Sequence, residues 1–260
     1  MTWYRQAFGA FYLLLYQHRD VAEAERCVST VLRLVPFGEG PVLDLGCGDG
    51  RHLVTLTGQG MPAVGLDLSP ELLTAANRRR LAGELVSPLV RADMRTLPLA
   101  NHAVTGVLSL FTAFGYFGGL ADHAGLVSEI TRVLRPPGYW VLDYLNCDQV
   151  RQAGASLDRL DSERRVGPLR FRESKQLAAD PERVVKSVQV TPLPGQEPAA
   201  AEWGVPATGL TYSEEVALFS LDAMDALAAD HGLKRIATVG DYDGRPLVAD
   251  SPRWLLVYQK

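Results

Sequence analysis

Between residues 42 and 145 the chain alternates short apolar runs with longer stretches in which apolar residues recur every three or four positions. The runs opening at Val42 and those at 61–67, 89–94, 103–110 and 139–145 have the length and composition of buried strands. Helical spacing appears at 21–35, directly after Gly50, at 71–81 through Leu72, Leu73, Ala75, Ala76 and Leu81, and at 121–134 through Leu126, Ile130, Val133 and Leu134. Ser69 and Pro70 suit the N-cap and first position of the third of these helices, and Arg135-Pro136-Pro137-Gly138 stops the fourth. Strands alternating with amphipathic helices predict an α/β fold: a mostly parallel sheet with helices on both faces.

The rhythm breaks at 148–217. Alternating polar and apolar residues at 169–175, 184–190 and 210–218 predict antiparallel strands, with a Pro-, Gly- and Ala-rich loop at 192–206. Ser220 then caps a helix to about residue 231, and strands follow at 233–239 and 253–259. Three segments result: residues 1–147, N-terminal helices and an α/β core; 148–217, a β-rich insertion expected to sit over the strand ends as a lid; and 218–260, a helix and the last two strands of the core.

The chemistry concentrates where the first strand ends, at V-L-D-L-G-C-G-D-G (42–50). Alternate glycines allow a sharp turn and leave no Cβ between backbone and ligand, and the following helix directs unpaired N–H groups at whatever sits there. A dinucleotide fingerprint would place its last glycine where Arg51 stands, and Asp44 before the first glycine would repel a pyrophosphate. A ligand with an ammonium group and no phosphate fits better, and S-adenosylmethionine is one. Asp67 ends the second run, 17 residues past Gly50, where its carboxylate can accept from both ribose hydroxyls; Leu68 adjoins it. With Asp44 and Asp93, three carboxylates close three successive strands, at the sheet edge where ligands collect in such folds.

The motif D-L-G-C-G-D-G resembles the first motif of the class I S-adenosylmethionine-dependent methyltransferases, and Val133 to Gly138 resembles that family's turn before the fifth strand, with Pro137 replacing a glycine. Residues 3–9 (W-Y-R-Q-A-F-G), 12–20 (Y-L-L-L-Y-Q-H-R-D), 240–246 (G-D-Y-D-G-R-P) and 250–253 (D-S-P-R) resemble a bacterial group within it, whose acceptors are not generally agreed. The resemblance implies a Rossmann-like seven-stranded sheet with its last strand antiparallel, and S-adenosylmethionine as cofactor. It implies contacts to that cofactor from the backbone of Gly46, Cys47 and Gly48, from Asp93 and Met94 at the adenine, from Tyr12 and Arg19 at the carboxylate, and from Phe111 and Thr112 near the sulfonium. Tyr4, Tyr12 and Tyr16 read equally well as packing aromatics. His52 faces either the methionine end or solvent. Phe114, Tyr116, Phe117 and Asp243 line an acceptor pocket or, for the aromatics, pack beneath the lid. Tyr116, Tyr144 and His18 are candidate bases.

Composition narrows the partners. Among 260 residues, 47% are hydrophobic and the formal charge is −4, with no basic stripe of the kind nucleic acid requires. The Arg78-Arg79-Arg80 cluster complements the end of a helix. No apolar run reaches the length of a membrane span and the N-terminus lacks a signal-peptide pattern, so the cytoplasm is expected, with thiols at Cys27, Cys47 and Cys147 and no metal spacing. No motif for methylating exocyclic amines of bases or C5 of cytosine is present, which points to a small-molecule acceptor at N or O, acted on by a monomer or homodimer. A cofactor-binding protein without catalysis and an NAD(P)-dependent oxidoreductase are the alternative readings. S-adenosylhomocysteine should raise the melting temperature and NAD should not; a thermal-shift titration with both compounds separates the oxidoreductase from the other two readings.

Overall fold

The computed structural model describes residues 3–19, 21–157, 162–179 and 181–260; Asp20, part of the N-terminal motif, lies outside them. In chain order the elements are α1 (Tyr4–Ala7), α2 (Phe11–Leu15), α3 (Val21–Leu34), β1 (Val42–Leu45), α4 (Arg51–Gly58), β2 (Ala63–Asp67), α5 (Pro70–Leu81), β3 (Leu89–Arg91), β4 (Val104–Ser109), α6 (Leu120–Val133) and β5 (Leu134–Leu145). There follow α7 (Cys147–Leu157), β6 (Ser162–Val166), β7 (Leu169–Ala179), β8 (Glu182–Pro192), α8 (Glu197–Glu202), β9 (Leu210–Ala217), α9 (Leu221–Ala229), β10 (Lys234–Val239) and β11 (Arg253–Gln259).

Seven strands form one sheet in the order β10-β11-β5-β4-β1-β2-β3. Strands β1 to β5 are parallel, and β11 runs antiparallel to both β5 and β10. The chain steps outward from β1 to β3, then returns to the other side of β1 as β4. That reversal is a topological switch point, and it opens a crevice above the carboxyl ends of β1 and β4.

Each central strand is buried on both faces, which is why it reads as a continuous apolar run. Leu43, Leu45, Val107, Trp140 and Leu142 pack on one side with α6 and α9. Val42, Leu108, Val141 and Leu255 pack on the other with Cys27, Val28 and Val31 of α3 and Leu53 and Leu56 of α4. Ser69 caps α5 as expected, accepting from the Leu72 N–H, and its hydroxyl also donates to the Phe8 carbonyl at 2.7 Å. Leu81, expected to point inward, is 78% exposed, because α5 ends there and leaves the core behind. The expected break at 135–138 lies within the bounds of β5 as an irregularity: Val104 pairs with Leu134, and the ladder resumes at Gly106 and Tyr139.

A second, antiparallel sheet has the order β6-β7-β8-β9. Its inner face, through Leu169, Phe171, Val188, Val190 and Tyr212, packs on Ala7, Phe11 and Leu15 of α1 and α2. Its strands β7 and β8 are longer than their alternation suggested. Ser162–Val166, a charged edge strand without alternation, carried no recognisable signal. The stretch at 192–206 contains α8, whose proline stands in the first turn, where it costs no hydrogen bond. Among the described residues no helix is long and apolar enough to cross a membrane.

Gly106 in β4 lies where an added Cβ would come within 2.3 Å of Phe37 Cε1. Gly106→Ala should cost about 1–3 kcal/mol through overpacking, measured as a lower urea midpoint with an unchanged slope.

Candidate cofactor site

The glycine turn sits at the switch point. Gly46, Gly48 and Gly50 have φ of 83°, 55° and 80°, a region that residues with a Cβ seldom adopt. A Cβ on Gly46 would stand 2.9 Å from that of Ala113. The N–H groups of Gly46 and Cys47 donate to the Leu66 carbonyl at 2.8 and 3.0 Å, tying the turn to β2. Gly50 caps α4 without any side-chain acceptor, so the helix starts with open N–H groups.

Above the turn lies a cavity of about 710 Å³. It gathers most of the expected positions: Tyr12, Arg19, Gly46, Cys47, Gly48, His52, Asp67, Leu68, Asp93, Met94, Phe111, Tyr116 and Phe117 all line it. The Asp67 carboxylate is oriented by two backbone donors, Gly48 N–H to Oδ2 and Ser69 N–H to Oδ1, each at 2.8 Å. Burial raises its pKa and those hydrogen bonds oppose the rise. Asp93 is held by Arg95, with contacts of 3.0 Å to Oδ1 and 2.6 Å to Oδ2, and this pairing pulls its carboxyl below the usual range. Arg95 in turn lies 5.2 Å from the centre of the Phe117 ring.

Asp44 sits beneath the cavity rather than in its wall. It is 1% exposed, and its Oδ2 has no hydrogen-bond partner. A buried, unpartnered carboxylate oxygen under bare backbone is the environment a ligand ammonium would relieve. His52 is buried in the wall, and burial with nearby Arg51 and Arg253 keeps its imidazole neutral.

Pattern reading included Arg19 but missed Arg51, its partner at one end of the cavity. Arg51 lies 4.5 Å and Arg19 5.1 Å from the centre of the Phe111 ring. Glu23 on α3 pairs with Arg19 at 2.5 Å and with Arg51 at 3.6 Å, while Arg51 also donates to the Arg19 carbonyl at 3.1 Å. Two guanidiniums and one carboxylate leave a net positive charge facing the cavity. Arg51 had figured only as the residue that spoils a dinucleotide fingerprint; nothing in the linear pattern places it beside Phe111. At the rim Arg79 pairs with Asp49 at 2.7 Å.

Much of the remaining wall is aromatic. Phe8 stands 5.1 Å from Tyr12 and 5.6 Å from Tyr116, Trp3 lies 5.2 Å from Tyr116, and Tyr4 lies 5.9 Å from Phe117. Burial raises the hydroxyls of Tyr12, Tyr16 and Tyr116 well above their ordinary value. Tyr16 receives a 3.1 Å hydrogen bond from Lys186 of the second sheet, whose ammonium stands 3.5 Å from both Glu173 and Glu214.

Four expected site residues lie elsewhere, and Thr112 falls just outside the wall, its N–H bonded to the Asp143 carbonyl. Tyr144 is wholly buried, and its hydroxyl donates to the Ala217 carbonyl, so it joins the two sheets instead of meeting a ligand. Phe114 is core, packed among His123, Trp140 and Phe219. His18 is exposed outside the cavity. Asp243 is an exposed loop residue paired with Arg245 at 3.2 Å.

Residues 43–142 match the family model described as a methyltransferase domain. The dTDP-3-amino-3,4,6-trideoxy-alpha-D-glucopyranose N,N-dimethyltransferase of Streptomyces venezuelae is 27% identical over 69% of this chain and 77% of its own. The malonyl-[acyl-carrier protein] O-methyltransferase of Enterobacter lignolyticus is 26% identical over 77% of this chain and 76% of its own. An S-adenosylmethionine-dependent methyltransferase from Clostridium acetobutylicum shares the fold, with a TM-score of 0.76 over 96% of this chain and 95% of that one at 15% identity.

Burial, with Asp67 nearby, pushes the Asp44 carboxyl up to about 7 in spite of Arg51. The fold therefore prefers the protonated acid, and ionisation weakens the ligand-free protein as pH rises from about 4 through that value. Asp44→Asn, which does not ionise, should melt higher than the wild type at pH 8 and converge with it near pH 4, as followed by thermal denaturation without ligand. The glycine turn and the carboxylates behind it fall within or beside the matched stretch: residues 43–142 carry a methyltransferase domain, on the fold of the S-adenosylmethionine-dependent enzyme from Clostridium acetobutylicum.

Proposed function

We propose that this protein moves the methyl group of S-adenosylmethionine to a nitrogen, or less readily an oxygen, of a small-molecule acceptor in the cytoplasm. The observation that supports this most is the meeting in one cavity of the glycine turn, Asp67, Asp93 and the Arg19–Arg51–Phe111 group. In this reading Asp67 takes the ribose hydroxyls, with Leu68 beside them, and Asp93 and Met94 take the adenine. The Gly46, Cys47 and Gly48 backbone and the otherwise unpartnered Asp44 oxygen serve the ammonium. Arg19 and Arg51 hold the carboxylate, with Tyr12 and His52 closing that end and Phe111 beneath them.

The bound sulfonium supplies an activated methyl group for in-line displacement. The chain's own part is to orient two reactants and to exclude water. We assign the second sheet, with α1 and α2, the part of a lid, since Tyr4, Phe8, Tyr12 and Tyr16 line the cavity and Ala7, Phe11 and Leu15 of the same segment pack on that sheet. Aromatic faces also favour a cationic centre. Tyr116 and Phe117 then shape the acceptor side. Because burial keeps the Tyr12 and Tyr116 hydroxyls protonated near neutral pH, they donate hydrogen bonds to orient an acceptor and do not serve as bases. An amine arriving with a free lone pair needs no proton removed in the step, which favours nitrogen. The acceptor nitrogen named for the Streptomyces venezuelae relative agrees with this choice.

Incubating the protein with methyl-labelled S-adenosylmethionine and pooled amino sugars, amino acids and other small amines should carry label into the amine fraction. Tight cofactor binding without transfer to any pool would instead favour a binding protein without catalysis. Arg51→Ala should raise KM for S-adenosylmethionine about tenfold, the loss expected of one charged hydrogen bond, with a smaller change in kcat.

A further inference from the structure

The C-terminal signature at 240–253 lies outside the cavity wall, and the assignments above leave it without a role. It folds back on itself. Gly240 N–H donates to the Arg245 carbonyl at 2.8 Å, and the Arg253 N–H returns to the Gly240 carbonyl at 3.3 Å. A Cβ on Gly240 would come within 2.1 Å of Ser251 Oγ, while Asn146 at the end of β5 holds the carbonyls of Ala249 and Ser251 at 3.1 and 2.8 Å. The closed loop delivers two side chains to one place. Tyr242 Oη donates to Asp143 Oδ2 at 2.6 Å, Arg253 Nε donates to Asp143 Oδ1, and the Arg253 guanidinium lies 4.8 Å from the Tyr242 ring centre.

Asp143 is fully buried in β5. Besides those two donors, its Oδ2 accepts the Phe111 N–H at 2.7 Å, and its carbonyl accepts the Thr112 N–H at 3.0 Å. Phe111 and Thr112 have φ of 53° and 60°, a left-handed pair that neither a bulky nor a β-branched residue favours. Such a conformation persists where the surroundings over-determine it. Here the surroundings are one carboxylate carrying three donors, two of them from the signature.

We propose that the Tyr242–Asp143–Arg253 network is the positioning device for the cofactor grip. It holds the turn at Phe111 and Thr112 in its left-handed form and so keeps the Phe111 ring beneath Arg19 and Arg51. This rests on the assignment of those two arginines to the carboxylate of S-adenosylmethionine. Tyr242, Asp143 and Arg253 touch neither reactant; they act through Phe111. Gly240, Ser251 and Arg253 of the signature then have one purpose, the return of two donors to a single buried acid. The side chains of the signature's exposed members, Asp243 and Arg245, make no contact with Asp143.

Removing Asp143 or Arg253 would strand a buried charge and risk the fold, so Tyr242→Phe is the informative variant, since it deletes one hydroxyl and leaves no donor unsatisfied. Hydrogen exchange of the amides of residues 111 and 112 should quicken about tenfold, the loss of one hydrogen bond to a charged acceptor. Calorimetry should show S-adenosylhomocysteine binding weakened by a similar factor. Arg245→Ala, in the same loop but on its surface, should leave both readouts at wild-type values. A Tyr242→Phe protein that melts lower while exchange at 111 and 112 stays unchanged would overturn the proposal. So would faster exchange with unaltered affinity. Failure of the wild type to bind S-adenosylhomocysteine would sink the cofactor assignment instead; the exchange measurement, made without ligand, still reports on the network.

Discussion

The hydrogen bond from the Gly48 N–H to Asp67 Oδ2 joins the turn after the first strand to the carboxylate that ends the second. It forms only if Gly48 has the positive φ that brings its N–H toward β2, and only if β1 and β2 are neighbours in register, Leu45 opposite Leu66. The bond makes the turn and the acid one unit. The Ser69 N–H on the other carboxylate oxygen extends that unit to the start of α5, and the Ser69 hydroxyl carries it to Phe8 in the N-terminal segment. The glycine turn and the N-terminal segment, both of which line the cavity, are therefore linked through a short chain of hydrogen bonds that begins at one aspartate.

The second sheet combines two environments on one face. Its apolar part receives α1 and α2. Its other part places Lys186 between Glu173 and Glu214, all largely buried, with Tyr16 as the outlet toward the cavity. Buried ions contribute little net stability even when paired. Their value here is geometric: a carboxylate–lysine–carboxylate set fixes where Tyr16 points, and the Tyr16 ring lies tilted against Tyr12 with centres 4.4 Å apart. Charge thus orients the aromatic wall while the apolar contacts hold it down.

The expected site residues separate according to what each depends on. Those that follow a strand end directly, Asp67, Leu68, Asp93 and Met94, reach the cavity because parallel strands deliver their carboxyl ends to one edge of the sheet. Tyr144 and Phe114 stand near the same edge, yet they turn into the apolar layer under α6 and α9. Strand parity and the residues opposite decide that, and neither is written in the local pattern. His18 and Asp243 belong to connecting segments whose direction depends on distant partners, such as the Arg33 of α3 that bonds the Asp243 carbonyl at 3.3 Å. Arg51 shows the converse. Its place on the first turn of α4 was evident, but its partners, Glu23 and Phe111, come from elements far apart in the chain.

From the order of residues alone came the alternation of strands and helices, the glycine turn and the acids at strand ends, since these rest on local rules: buried parallel strands are apolar throughout, helices repeat every three to four residues, and a bare-backbone turn needs glycine. Packing across the chain alone decided the remainder. It made Asp44 an unpartnered buried carboxylate, raised the tyrosines of the wall, and brought Tyr242 and Arg253 to Asp143 across about a hundred positions of sequence. Burial, electrostatic pairing and a backbone held in an unfavoured region all depend on which surfaces meet, and that is decided only once the elements have packed together.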